Sequence, residues 1–423
     1  MKYVVIIADG AADLPIVELG GRTALEAAHT PNLDRLASLG ELMTACTTPP
    51  GWLAGSDVCT MDLLGYDPRV YHTGRAPLEA ASMGVAARAT DWIYRLNLVT
   101  VGEPGTSDEG LMLDHSGGAI SDEEAWQLTR DLLAHWRAAD PSLVEPRLLL
   151  QHGVSYRSIL VDGTGRNGAD LVTTPPHEIP RQAWAEHLPR GSKAPSSAAS
   201  VFVNVLMEQS RGLLGSHPIN LARLAAGKRP ANMAWLWGQG TKPQMPSFEG
   251  RFGLRGAMIT AVDLLAGIAR LIGWERLNVR GVTSYHDTDY AAQGRATWQA
   301  LETYDIVCCH VESPDEASHQ GDWQTKVAGI EHIDRFVVGP VLEHLLGMDA
   351  TGTGWRMMVL PDHYTLVSTR KHDATPVPVL MVGGQSGLAS RPAGMRFTEA
   401  NANRAGRVVA EGHTLMDAFL AGR

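Results

Sequence analysis

Three aspartates and three histidines fall where an α/β protein gathers its ligand-binding groups. Asp9 closes the apolar run 3–8, Asp315 follows the β-rich run 305–311, and Asp362-His363 follow the run 357–360. Loops at the ends of buried strands converge while the strands hold them rigid. Asp315 and His319 are four residues apart, so on a helical turn both reach one ion. Adjacent Asp362 and His363 at a turn can point toward two ions, and His372 follows within the same segment. Each residue alone has a plainer reading: a strand-end turn, a solvated helix face, a surface loop. The set of six is what points to metal, because carboxylate oxygens and imidazole nitrogens are the ligands of divalent cations. Two ions are expected, with Mn²⁺, Zn²⁺ and Mg²⁺ favoured in that falling order.

Ser56 adds a nucleophile. It follows the Gly/Pro-rich loop 49–55 and opens a short helical stretch that ends near Gly65. A hydroxyl there sits beside free backbone N–H groups and the positive end of the helix dipole, a setting that favours a phosphoryl group. A nearby cation would also lower its pKa. The plainer role is a helix N-cap.

The elements that must carry these groups alternate. Apolar runs at 3–8, 305–311, 357–360 and 377–382 read as buried parallel strands. Helical patterns are read at 256–272 and 322–346, and Thr30-Pro31 opens another helix as N-cap and first helical residue. Alternating strands and helices imply an α/β fold with a doubly wound, mostly parallel sheet. Between 108 and 217 the pattern loosens into turn-rich segments. That region is expected to be a smaller inserted α+β domain, with 1–107 and 218–423 forming the core domain and His217-Pro218 marking the return to the main sheet.

The 423 residues carry 36 Lys+Arg against 46 Asp+Glu, a net charge of −10. That balance disfavours general nucleic-acid binding. It leaves room for a phosphorylated substrate, since local cations override a global field. No apolar run reaches the ~18–20 residues that span a bilayer. The N-terminal run is broken too early, at Asp9, for a signal peptide. Cys46, Cys59, Cys308 and Cys309 form no C-x-x-C pair. A cytoplasmic protein with no membrane partner is expected, free to form a homo-oligomer.

Longer strings carry a family resemblance. They include Gly55-Ser56-Asp57-Val58, Leu63-Leu64-Gly65-Tyr66-Asp67-Pro68 and Tyr71-His72-Thr73-Gly74-Arg75-Ala76-Pro77-Leu78-Glu79-Ala80. Later come Trp235-Leu236-Trp237-Gly238-Gln239-Gly240 and the run from His310 through Pro314-Asp315 and His319 to Gly321-Asp322. With 4–10, 25–34 and Asp362-His363, these resemble the archaeal-type cofactor-independent (2,3-bisphosphoglycerate-independent) phosphoglycerate mutases of the alkaline phosphatase superfamily. The resemblance implies an alkaline-phosphatase-like fold and two metal sites. One would be formed by Asp315, His319 and His372, the other by Asp9, Ser56, Asp362 and His363, with Ser56 as nucleophile. It implies interconversion of 2- and 3-phosphoglycerate through a phosphoserine, without 2,3-bisphosphoglycerate, the inserted domain closing over the substrate. Trp92-Ile93-Tyr94, Ser284 and His286 depart from the family pattern.

A small phosphorylated hydroxy acid needs cations for its phosphate and carboxylate, and arginine contacts both bidentately. Arg75 is the first candidate, then Arg95 with Asn97. In the inserted domain Arg157 and His177 lie in further family-like strings, His177 as a proton shuttle. The alternative is a homoserine kinase-like phosphotransferase or a phosphatase of the same superfamily, since the opening hundred residues resemble the bacterial kinase-like branch as well.

Overall fold

The computed structural model describes residues 1–143, 147–349, 352–383 and 395–422. The chain divides into two units, Met1–His72 with Met245–Arg423, and Thr73–Gln244.

The first unit is built on an eight-stranded sheet. Its order is Glu275–Arg276, Gly256–Ile259, Ile306–Val311, Lys2–Ala8, Trp355–Leu360, Val377–Gly383, Glu41–Ala45, Val408–Val409. Only Val377–Gly383 runs antiparallel to its neighbours; the other pairings are parallel. The central strands are buried along nearly their whole length, which is why they read as unbroken apolar runs. Their register decides where the chemistry sits. Ile7 lies level with both His310 and Leu360, so Asp9, Glu312 and Asp362 leave the sheet at one rim. The expected α/β class and mostly parallel sheet are found here.

Two expectations about elements change. Residues 256–259 are a buried strand rather than the start of a helix, and the helix begins at Asp263. Ala257-Met258-Ile259 are apolar on both sides, and a short apolar run looks alike in a buried helix and a buried strand. Thr30 and Pro31 do stand at the N-cap and first helical positions, yet the Thr30 side chain makes no capping bond. The Asp334 carboxylate accepts from the Asn32 and Leu33 amides instead, at 3.3 and 2.7 Å.

The second unit is an antiparallel sheet of five strands, in which Trp92–Val101 pairs with Met112–Asp114, Arg157–Asp162 and Met233–Thr241, and Arg157–Asp162 pairs with Leu148–His152. Helices Asp122–Ala139 and Ala198–Leu214 cover it, burying Trp136, Phe202, Leu206 and Trp235 in one core. Its ends lie at 73 and 244, not at 108 and 217. The reason is the pairing of 92–101 with 233–241, which draws both flanks into this unit. His217-Pro218 does not return the chain to the main sheet; His217 caps the helix Pro218–Ala225.

One glycine sets the start of this unit. Gly74 has φ +141°, and a Cβ there would stand 2.3 Å from the Gln239 carbonyl oxygen. Gly74→Ala should therefore cost at least about 1–3 kcal/mol. Urea unfolding should report that loss, with Arg75 displaced at the helix start next door.

Candidate functional site

In the first unit the rim loops bring Asp9, Ser56, Asp315, His319, Asp362, His363 and His372 into one cluster. Gly10 allows the approach. It has φ +59°, and a Cβ there would fall 2.5 Å from Thr365 Oγ1 and 2.8 Å from Asp315 Oδ1. Ser56 is the first residue of the helix Ser56–Leu63, whose N-cap is Gly55. Its hydroxyl does not cap the helix. Ser56 Oγ lies 3.2 Å from Asp9 Oδ2 and 3.2 Å from His363 Nε2.

The hydrogen bonds assign the imidazole tautomers. His319 Nδ1 donates to the Arg370 carbonyl at 3.0 Å, and His372 Nδ1 to the Ala54 carbonyl at 3.1 Å. The Thr365 hydroxyl donates to Asp315 Oδ1 at 2.5 Å, so it accepts from His363 Nδ1 at 3.1 Å. All three rings thus turn Nε2 lone pairs inward. His319 Nε2 and His372 Nε2 are only 2.9 Å apart, and they lie 3.2 and 3.4 Å from the Asp315 carboxylate oxygens. Outer N–H groups tied to carbonyls while the inner nitrogens converge are the pattern of metal-ligating histidines. Without an ion a proton must fill the gap. The Asp315 bond accordingly pushes His319 up to about 9. Burial pulls His372 down, but Asp315 overrides it and the net shift is upward. Burial also raises Asp315, yet the bonds from His319 and His372 outweigh it and hold that carboxyl well below its usual range.

The other half of the cluster lacks positive charge. Burial, then Asp362, Glu312 and Asp315, push Asp9 well above the ordinary carboxylate range. Asp9 Oδ1, Asp362 Oδ2 and Glu312 Oε2 are buried without a hydrogen-bond partner among the described residues. Orphaned buried acceptors facing one another are what a divalent cation satisfies. Among the described residues three groups have ligand atoms close enough for an ion: Asp9 with Asp362 and His363, Asp315 with His363 and His372, and Asp9 with His310 and Glu312.

The expected substrate residues all lie in the second unit. Arg95 stacks 4.1 Å over the Trp237 ring and pairs with Glu79 at 2.9 Å. Burial lowers its pKa, and Arg75 and Arg157 add to that through their positive charge. Arg75 opens the helix Arg75–Ser82 and Arg157 opens a strand; both are exposed. His177 packs edge-on against Trp237 at 5.6 Å. Burial first, then His115, Arg95 and Arg75, push it down to about 4, so it is neutral near pH 7. Asn97 is buried and already engaged: it donates to the His115 carbonyl at 3.2 Å and accepts from Trp237 Nε1 at 3.1 Å.

The sequence matches the family model of 2,3-bisphosphoglycerate-independent phosphoglycerate mutase over residues 37–220. A protein of that name from Methanothrix thermoacetophila is 42% identical over 422 residues, covering 100% of both chains. The chain belongs to the 2,3-bisphosphoglycerate-independent phosphoglycerate mutase family. Two solved structures are similar to this family member over nearly the full length. A Pyrococcus horikoshii protein is 26% identical with TM-score 0.77, covering 99% of this chain and 96% of that one. The cofactor-independent phosphoglycerate mutase of Thermoplasma acidophilum is 25% identical with TM-score 0.65, covering 100% and 99%.

Two residues of the mutase-family cluster escaped the sequence analysis, His310 and Glu312. His310 Nε2 lies 2.8 Å from Asp9 Oδ2, and its Nδ1 meets Thr260 Oγ1 at 3.1 Å. Burial pushes its pKa down to about 4. Glu312 Oε2 lies 3.6 Å from His310 Nε2. The available signal was His310, a polar residue inside an otherwise apolar strand, with Glu312 immediately past the strand's end.

Proposed function

We propose that this chain interconverts 2-phosphoglycerate and 3-phosphoglycerate through a phosphoserine at Ser56, with two divalent cations in the first unit. One observation carries the reading, in a member of this family: the Ser56 hydroxyl points to Asp9 and His363 instead of to its own helix. Asp315, His319 and His372 would hold one ion and Asp9, Asp362, His363 and Ser56 the other. Bound cations would neutralise the carboxylates and polarise phosphoryl oxygens. Mn²⁺ heads the candidates because the donor set mixes carboxylates with imidazoles.

Ser56 Oγ would attack the phosphorus as the bond from phosphorus to the glycerate oxygen breaks, and that oxygen takes up a proton. The hydroxyl proton of Ser56 has two acceptors within 3.2 Å, Asp9 Oδ2 and His363 Nε2. The other glycerate hydroxyl then attacks the phosphoserine, loses its proton and returns Ser56 to its starting state. The phosphoryl group that Ser56 passes on comes from the substrate itself, so no bisphosphate primer is needed. Arg95, with Arg75 and Arg157, is the candidate cation set for the carboxylate. His177, neutral, offers a donor or an acceptor to a hydroxyl. Among the described residues no helix is long and apolar enough to cross a membrane. The four cysteines are unpaired thiols, which suits a reducing cytoplasm.

An enolase-coupled assay tests this. 3-Phosphoglycerate with Mn²⁺ should yield phosphoenolpyruvate without added 2,3-bisphosphoglycerate, and adding the bisphosphate should not raise the rate. Homoserine with ATP should give no phosphohomoserine. The reverse pair of results would replace the mutase reading with the kinase-like one.

A further inference from the structure

Helix Trp323–His332 carries a lysine where its neighbours are core. Lys326 is fully buried, a position that an ammonium occupies only when its protons are satisfied. All three are. Nζ donates to Asp13 Oδ2 at 2.8 Å, to the Thr365 carbonyl at 2.8 Å and to the Ala12 carbonyl at 3.2 Å. Asp13 is itself held, since Oδ2 accepts from the Val367 amide at 3.2 Å and Oδ1 from the Leu14 amide at 2.8 Å. Glu399 accepts from the Asp13 amide at 3.1 Å and from Thr23 Oγ1 at 2.7 Å.

This one cation joins three segments that each emerge from a piece of the rim cluster. Residues 11–14 follow Asp9, residues 365–367 follow Asp362-His363, and the lysine's own helix follows Asp315 and His319. The link runs on through Thr365. Lys326 fixes its carbonyl, and its hydroxyl bridges Asp315 Oδ1 at 2.5 Å and His363 Nδ1 at 3.1 Å. That bridge leaves the other Asp315 oxygen and His363 Nε2 for an ion. A buried ion pair is weak as a stabiliser, and an apolar pair of the same size is often as stable. Stability alone therefore gives no reason for a lysine at this point.

We infer that Lys326 is a positioning residue of the metal centre, acting through Thr365 to set which atoms of Asp315 and His363 face the ions. The inference rests on the metal reading above.

The test compares Mn²⁺ binding by calorimetry in the wild type, Lys326→Met/Asp13→Asn and Thr365→Val. The double variant removes both charges, so no carboxylate is left buried alone; Thr365→Val breaks the bridge and leaves the lysine in place. Both should fold with a Tm near that of the wild type and bind Mn²⁺ about 10–100-fold more weakly. Their kcat/KM for 3-phosphoglycerate should recover at high Mn²⁺. A role in packing alone would lower Tm and leave Mn²⁺ affinity where it was. Unchanged affinity in Thr365→Val overturns the inference even if the double variant does not fold. A wild type that binds no Mn²⁺ would instead remove the metal reading, and this inference with it.

Discussion

Ser56→Ala is expected to abolish phosphoglycerate interconversion, lowering turnover by roughly three to six orders of magnitude, and to leave the protein about as stable as before. Capping and chemistry separate here because the structure assigns the cap position to Gly55 and makes Ser56 the first helical residue. Removing a true capping hydroxyl costs about 0.5–2 kcal/mol. Removing this one breaks no bond to the helix backbone, and alanine is the better helix former. Nothing replaces the lost oxygen. Asp57 is next in sequence, but its carboxylate pairs with His72 at 3.0 Å and would be repelled by a phosphate. Ser56→Thr keeps the hydroxyl and adds a methyl group to a crowded cluster, so partial activity is expected. Acid-quenched wild type incubated with substrate should carry one phosphate on the peptide containing Ser56. A Ser56→Ala protein that folds and still turns over would end the phosphoserine mechanism.

The rim cluster was legible because sheet topology writes itself into sequence. A strand buried on both faces must be an apolar run, and its first polar residue marks the rim, so Asp9 and Asp362 announce themselves. His310 did not, because it lies inside the run and its register opposite Ile7 depends on a partner strand some 300 residues away. Lys326 was hidden for a similar reason. A lysine on a helix reads as solvent-exposed, and only the convergence of Ala12, Asp13 and Thr365 makes its burial tolerable. The unit boundaries were misplaced because 92–101 and 233–241 each look like strands of any sheet. Their antiparallel pairing, Arg95 opposite Trp237, is a long-range fact. The same pairing stacks Arg95 on that indole, a contact that no local pattern contains. Asn97 bonds to Trp237 and to the His115 carbonyl through the same folded sheet, contacts that no local pattern contains.

Removing the metal should cost both activity and fold, and pH should expose the reason. Chelation leaves Asp9, Asp362 and Glu312 each with an orphaned buried oxygen, so turnover should fall to background and return with Mn²⁺. In the metal-free protein His319 is raised to about 9 from its ordinary value of 6.5 by Asp315, and His372 shifts the same way. A group whose folded pKa is raised contributes stability that is fully present below its unfolded pKa and is lost as pH climbs through the folded one. The Tm of the metal-free protein should therefore decline between about pH 6.5 and 9. Asp9, raised by burial and then by Asp362, Glu312 and Asp315, and Glu312, raised by burial and then by Asp315, act in the same direction, since ionising them in place is unfavourable. Asp315 acts oppositely, but its window lies on the acid side, below the ordinary carboxylate pKa. With Mn²⁺ the sign reverses. Metal and proton compete for the same Nε2 lone pairs, so affinity should rise across the interval in which the metal-free protein weakens. Thermal melts with and without Mn²⁺ from pH 6 to 9.5 should diverge toward high pH. Parallel curves, or a metal-free protein that stabilises as pH rises, would mean that the imidazoles and carboxylates at this rim do not share a cation.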